Sequence, residues 1–335
     1  MFDNLLKLLS SVTNVSPDYH REHCIAAKQS VAACHVCKDV CPHEAITLKR
    51  FVEIDDVDCT GCGLCVQSCP SQALESKVSF QTGAPLKCSQ VKGSAQSVQC
   101  LGRLSPTDLL RLAGTKEKVT LVRNDCANCN IGTEKIPEVV DEVIAEAKKL
   151  SDFRKRNLEF QILQQEKYDT TDNPDKISRR ELLRGGFRSI QTTAADALAP
   201  LDPGDPKEVS LPREMQRQYA VIEKAQPEKE QLVPWVLPRV KDGCIMCPVC
   251  TNVCPTKAFS RDFKPKDKDG NELGGSVLML EPDHCNGCNA CVKACPVKVI
   301  SLDTNVTWEE LSGGKEIAFH KPPQAPAQGV VARES

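Results

Sequence analysis

Four stretches of this sequence set cysteines at a spacing that suits metal chemistry. The most regular is Cys59-Thr60-Gly61-Cys62-Gly63-Leu64-Cys65-Val66-Gln67-Ser68-Cys69-Pro70. Three thiolates spaced C-x2-C-x2-C can wrap one corner of an iron–sulfur cubane. The fourth Cys, set off by an x3 gap and followed by Pro, begins a short helix that points elsewhere. Structural zinc sites instead prefer two separated cysteine pairs, often completed by His. An unbroken run of four therefore points to iron and sulfide rather than to zinc. The pattern returns as Cys244-x2-Cys247-x2-Cys250-x3-Cys254-Pro255 and as Cys285-x2-Cys288-x2-Cys291-x3-Cys295-Pro296. The first run, Cys34-x2-Cys37-x3-Cys41-Pro42, has Val31 where the repeat would place a Cys. Cys24 lies seven residues further back, and an insertion that loops it into the missing corner is the simplest repair. His23 and His35 lie beside this run, but clusters are usually held by thiolate, so both read as loop or surface residues.

The elements that must carry these thiols repeat as well. Each Cys-Pro is followed by a short segment: His43-Glu44-Ala45-Ile46, Ser71-Gln72-Ala73-Leu74, Thr256-Lys257-Ala258-Phe259 and Val297-Lys298-Val299-Ile300. Proline is tolerated at the first helical position, where its missing N–H costs nothing, so each copy reads as loop, one helical turn, then strand. Phe51 to Ile54 and Val277 to Leu280 are short β-prone segments leading into the next run. In this order residues 24 to 75, and again 244 to 303, resemble the two-cluster bacterial ferredoxins. That resemblance implies an α+β, ferredoxin-like fold in which the last Cys of each run serves the neighbouring cluster. It assigns a first [4Fe–4S] cluster to Cys24, Cys34, Cys37 and Cys69, and a second to Cys59, Cys62, Cys65 and Cys41. A third falls to Cys244, Cys247, Cys250 and Cys295, and a fourth to Cys285, Cys288, Cys291 and Cys254.

Residues 76 to 132 hold the remaining cysteines, Cys88, Cys100, Cys126 and Cys129. Val98 to Leu101 and Val119 to Val122 are strand-like, and Ser105-Pro106 opens a helix with Ser as cap and Pro in the first turn. A strand–helix–strand unit of this kind brings Cys100 and Cys126 to one edge of a small sheet. The order Cys100-Leu101-Gly102-Arg103, Asp108-Leu109, Cys126-x2-Cys129 resembles the small iron–sulfur subunit of the methyl-viologen-reducing hydrogenases, which carries a [2Fe–2S] centre. That family shows a Cys pair where this chain has Cys88 alone. A fifth centre of [2Fe–2S] or [4Fe–4S] type, a zinc site, and unligated thiols are all open here. Ligation has one count in its favour: four sites of four plus this one use all 20 cysteines.

The expected organisation is an N-terminal helix over 1–23, a first two-cluster module over 24–75 and a small α/β domain over 76–132. A helical linker over 133–238, a second module over 239–320 and a disordered tail over 321–335 complete it. Apolar residues from Ile136 to Leu150 recur at helical spacing, which predicts an amphipathic helix from 136 to about 166. Ser178-Arg179-Arg180-Glu181 is like a twin-arginine export signal but lies mid-chain; Ser178 and Glu181 also form a capping box, and we read a helix start. Residues 199 to 238 read as a Pro- and Lys-rich linker, with Trp235 as a core residue, and 261 to 275 as an exposed polar hairpin.

With 4% aromatics and 22 prolines, the side-chain core is thin and metal ligation must supply part of the folding energy. No secretory signal opens the chain and no apolar run is long enough to span a membrane, so the expected setting is reducing and cytoplasmic. A net charge of −2 gives no basic field for nucleic acid. No dinucleotide fingerprint, phosphate loop or nucleophile setting is present, so no catalytic site is expected on this chain. The function expected is single-electron relay between a catalytic partner and another carrier. A molybdenum or tungsten oxidoreductase, or a hydrogenase, would suit as the partner. Two rival readings are an iron–sulfur assembly protein for a molybdoenzyme and a non-redox cluster or zinc scaffold.

Overall fold

In the computed structural model, residues 15–169, 210–266 and 270–323 are described. The cysteine runs fold as short helices, Val36–Asp39, Leu64–Gln67, Val249–Val253 and Ala290–Ala294, each closing on a Cys-Pro turn. The residue three positions past the last Cys of each run is left-handed: Glu44 (φ 52), Gln72 (φ 55), Lys257 (φ 55) and Lys298 (φ 53). Non-glycine residues rarely occupy this region. The reason is visible one residue on, where the reversed backbone turns an amide back onto sulfur. Ala73 N–H donates to Cys69 Sγ at 3.3 Å and Ala258 N–H to Cys254 Sγ at 3.3 Å.

In the first module Ile46–Leu48 pairs antiparallel with Val52–Ile54, and Asp18–Tyr19 with Leu74–Glu75. The last pairing corrects the N-terminal helix expected over 1–23. Residues 18 and 19 are a strand because the Leu74 edge needs a backbone partner, a pairing extended by His20 N–H to Ala73 O at 2.8 Å. Residues 1–14 of that expected helix lie outside the described residues. The second module repeats the plan, with Leu237–Val240 on Ile300–Asp303 and Phe259–Asp262 on Ser276–Leu280. A third strand, Glu316–Lys321, extends that hairpin. The expected polar hairpin closes through a Lys266–Glu272 bridge. The tail beyond residue 323 is outside the described residues.

Between the modules stands a parallel sheet in the order Gln96–Val98, Leu86–Cys88, Lys118–Arg123, Glu159–Gln164. Helix Pro106–Ala113 begins on a capping box in which Ser105 Oγ accepts from Asp108 N–H at 3.1 Å. The long helix runs from Ile136 to Phe153 and stops there, short of the expected 166. Its apolar residues, from Ile136 through Val140 and Ala147 to Leu150, are buried in the core of the α/β domain, against helix Pro106–Ala113 and the turn Leu101–Arg103. Residues 159–164 instead add an edge strand parallel to Lys118–Arg123. Their apolar residues Phe160 and Ile162 alternate at period two, a pattern the preceding helical periodicity obscures. The α/β domain therefore extends well past 132, and no separate helical scaffold follows it among the described residues.

From residue 210 on, the segment expected as linker also folds. Helix Arg213–Glu223 buries Met215 and Ile222, two turns apart on one face, in the core of the α/β domain. Glu214 accepts from Thr107 N–H at 3.1 Å, at the start of helix Pro106–Ala113, and Arg213 pairs with Glu75 at 3.0 Å. Trp235 is buried in the same core, edge-on to Tyr219 at 6.3 Å. The helix start expected at Ser178 lies outside the described residues.

Candidate metal centres

None of the thiols is in a disulfide, and the fold gathers them into separate groups. Cys41, carried by the first run, lines one cavity with Cys59, Cys62 and Cys65 of the second. Burial pushes the Cys37 thiol up to about 12, with Cys69, Cys24 and Cys34 as the like charges beside it. Cys24 thus stands with the first run and with Cys69 from the second. In the second module Cys254 lines a cavity with Cys285, Cys288 and Cys291. Burial raises Cys250 to about 11, with Cys244 and Cys247 next to it, and Cys295 lies buried in the same core. The Cys37, Cys41 and Cys254 groups thus mix cysteines of two runs.

The α/β domain supplies a fifth group. Cys88 ends a strand, Cys100 precedes the turn Leu101–Arg103, and Cys126 and Cys129 follow the strand Lys118–Arg123; all four line one cavity. Burial pushes the Cys100 thiol up to about 12, with Cys62, Cys88 and Cys126 as surrounding like charges. Ile131 and Gly132 N–H donate to Cys129 Sγ at 3.4 and 3.5 Å.

These groups fit iron–sulfur ligation by donor chemistry. The Cys41 and Cys254 cavities have no carboxylate in their walls, and His43, which lines the first, is already bonded through Nε2 to Ile131 O at 2.9 Å. Soft thiolates with backbone amides directed at sulfur suit thiophilic metals. Thiols raised by burial are protonated at neutral pH, so a metal must displace those protons to bind.

The groups also adjoin one another. Cys37 acts electrostatically on Cys65, joining the two groups of the first module. Cys62 acts on Cys100, and the loop between them is stitched by Thr60 Oγ1 to Ile131 O at 2.7 Å. Across the modules Cys69 acts on Cys288, Asn286 Nδ2 donates to Ser71 O at 3.0 Å, and Ile25 packs with Val253 and Ala290. The Cys250 and Cys291 groups share one apolar core. The resulting row runs from the α/β group through the Cys65, Cys37 and Cys291 groups to the Cys250 group.

Two features were not anticipated from sequence. His23 is 2% exposed, correcting its surface reading: its Nε2 lies 2.8 Å from Ser210 O, and with His20 and Glu22 it gathers ligand atoms within 4.8 Å. His35 is exposed as expected and pairs with Asp39. Arg103 is 6% exposed and lines the Cys41 cavity. A long-range contact buries each, and no local pattern announces that burial.

The family model for the 4Fe-4S dicluster domain matches residues 32–73 and again 243–305. This chain therefore carries two 4Fe-4S dicluster domains, one on each side of the α/β domain. Over 80 residues it is also 31% identical to NADH-quinone oxidoreductase subunit I 2 of Geobacter metallireducens, a match covering 20% of this chain and 61% of that protein. The chain thus spans less than two thirds of that relative's length. No described helix is long and apolar enough to cross a membrane.

Proposed function

We propose that this chain is an electron-transfer subunit holding four [4Fe–4S] clusters and a fifth iron–sulfur centre. The observation that carries this reading is the packing of the thiol groups: Cys88, Cys100 and Cys62 share one core, Cys65 and Cys37 the next, Cys34 and Cys288 pack on a third, and Cys291 and Cys250 share the last. Cys24, Cys34, Cys37 and Cys69 hold the first cluster, and Cys41, Cys59, Cys62 and Cys65 the second. Cys244, Cys247, Cys250 and Cys295 hold the third, and Cys254, Cys285, Cys288 and Cys291 the fourth. Cys88, Cys100, Cys126 and Cys129 hold the fifth centre, with the [2Fe–2S] form suggested by the hydrogenase-subunit resemblance.

An iron–sulfur cluster, when bound, takes up and releases one electron at a potential set by cluster type, charge, hydrogen bonds to sulfur and exposure. The protein's part is position. Exchange of the last Cys between runs ties the two centres of each module into one unit. Asn286 and Ile25 fix the modules against each other, and Thr60 fixes the first module to the α/β domain. The comparison with an oxidoreductase subunit suits a partner within a larger redox complex, a molybdenum or tungsten enzyme or a hydrogenase among them.

Stepwise dithionite titration of anaerobic protein tests the proposal. Reversible electron uptake should give EPR signals broadened by coupling between neighbouring centres. Loss of iron on reduction, or its transfer to an apo-acceptor, would instead mark an assembly protein.

A further inference from the structure

Arg103 is a buried cation whose hydrogen-bond partners among the described residues are all backbone carbonyls. Its Nη1 donates to the carbonyls of Val15 and of Gly61, the latter at 3.2 Å, and its Nη2 to Lys77 O at 3.4 Å. All three acceptors are neutral, and among the described residues no carboxylate forms an ion pair with it. Buried charge in this state is expensive unless an opposite charge lies close. The ionisable groups beside Arg103 are the sulfurs of Cys59, Cys100, Cys65 and Cys62, which become anionic when they bind a metal.

The seat of the guanidinium is built into the metal-binding loop. Gly61, between Cys59 and Cys62, has φ +71, and a Cβ there would stand 2.6 Å from Arg103 Nη1. Only a residue without a side chain lets the cation reach the loop backbone. The second module provides an internal comparison. Gly287 holds the equivalent position between Cys285 and Cys288 with φ +67, and a Cβ there would meet the Val236 side chain at 3.4 Å. Val236 thus matches Val15, whose Cβ would stand 2.8 Å from a Cβ at Gly61, but no cation joins it there: the Cys254 cavity has no Lys or Arg in its wall.

We propose that Arg103 is a positioning residue that raises the reduction potential of the Cys41, Cys59, Cys62 and Cys65 site, a role no cation plays in the wall of the Cys254 cavity. The inference rests on the cluster assignment given above. A cubane held by four thiolates is anionic and gains a further negative charge on reduction, so a fixed cation beside it favours the reduced form. The two otherwise equivalent sites are thereby made unequal, and the site nearer the α/β domain accepts an electron first.

The test is a mediated dithionite titration followed by EPR on the wild-type chain, Arg103→Gln and Arg103→Lys, with iron counted in each. Gln keeps an N–H donor for the carbonyls and loses the charge; Lys keeps the charge and loses the fork. We expect Gln to shift one cubane's reduction equilibrium at least tenfold toward the oxidised form, about 59 mV for a one-electron couple. Lys should retain the wild-type value within a factor of about three, or some 30 mV. An unchanged potential in Arg103→Gln at full iron content overturns the proposal, as does a fall in Arg103→Lys equal to that in Gln. A wild-type chain without iron would overturn the cluster assignment itself, an outcome separable by its metal count.

Discussion

Removing iron should unfold both cysteine-rich modules while the α/β domain between them stays folded. The first module's core consists of Ala26, Ile46, Val52, Ala73 and Leu74 together with Cys24, Cys37 and Cys65. Small cores with few aliphatic side chains rarely hold a fold by packing alone, and metal ligation supplies the missing stability. The α/β domain differs. Leu86, Leu109, Leu112, Leu121 and Ile136 are each at most 2% exposed within one continuous aliphatic core. Hydrogen exchange before and after anaerobic chelation measures the contrast. Protection should be lost over 18–75 and 237–303 and retained over 86–164. Equal protection in the iron-free modules would mean that side-chain packing alone holds them.

Cys41→Ser should destroy the same centre as Cys65→Ser, although Cys41 lies in the other run. The fold sets Cys41 in the cavity of Cys59, Cys62 and Cys65, whereas Cys37 of its own run stands with Cys24, Cys34 and Cys69. Each variant should lose about four irons per chain, or fewer if a three-iron remnant survives. The remaining EPR spectra of Cys41→Ser and Cys65→Ser should coincide and differ from that of Cys37→Ser. If Cys41→Ser matched Cys37→Ser instead, each run would hold its own cluster and the ligand exchange would be wrong.

What could be read from sequence follows the range of the interactions. The cysteine runs were legible because a cluster's ligand spacing is local, and Pro42, Pro70, Pro255 and Pro296 mark the turns after them. Ser105 and Asp108 announced their helix for the same reason. Glu159 to Gln164 was not legible as a strand: it is stabilised by pairing with Lys118 to Arg123, far away in sequence. Helix Arg213–Glu223 hid in a Pro- and Lys-rich stretch because only Met215 and Ile222 dock fully. Arg103 was visible as part of a Cys-Leu-Gly-Arg motif. Its burial depends on Val15, Gly61 and Lys77, which no local pattern connects.

Counting iron and acid-labile sulfide in protein purified without oxygen tests the central claim most directly. Four cubanes require about 16 irons per chain, and the fifth centre brings the total to about 18–20, with sulfide in matching amount. A folded chain that emerged colourless, or that held zinc without sulfide, would contradict the account.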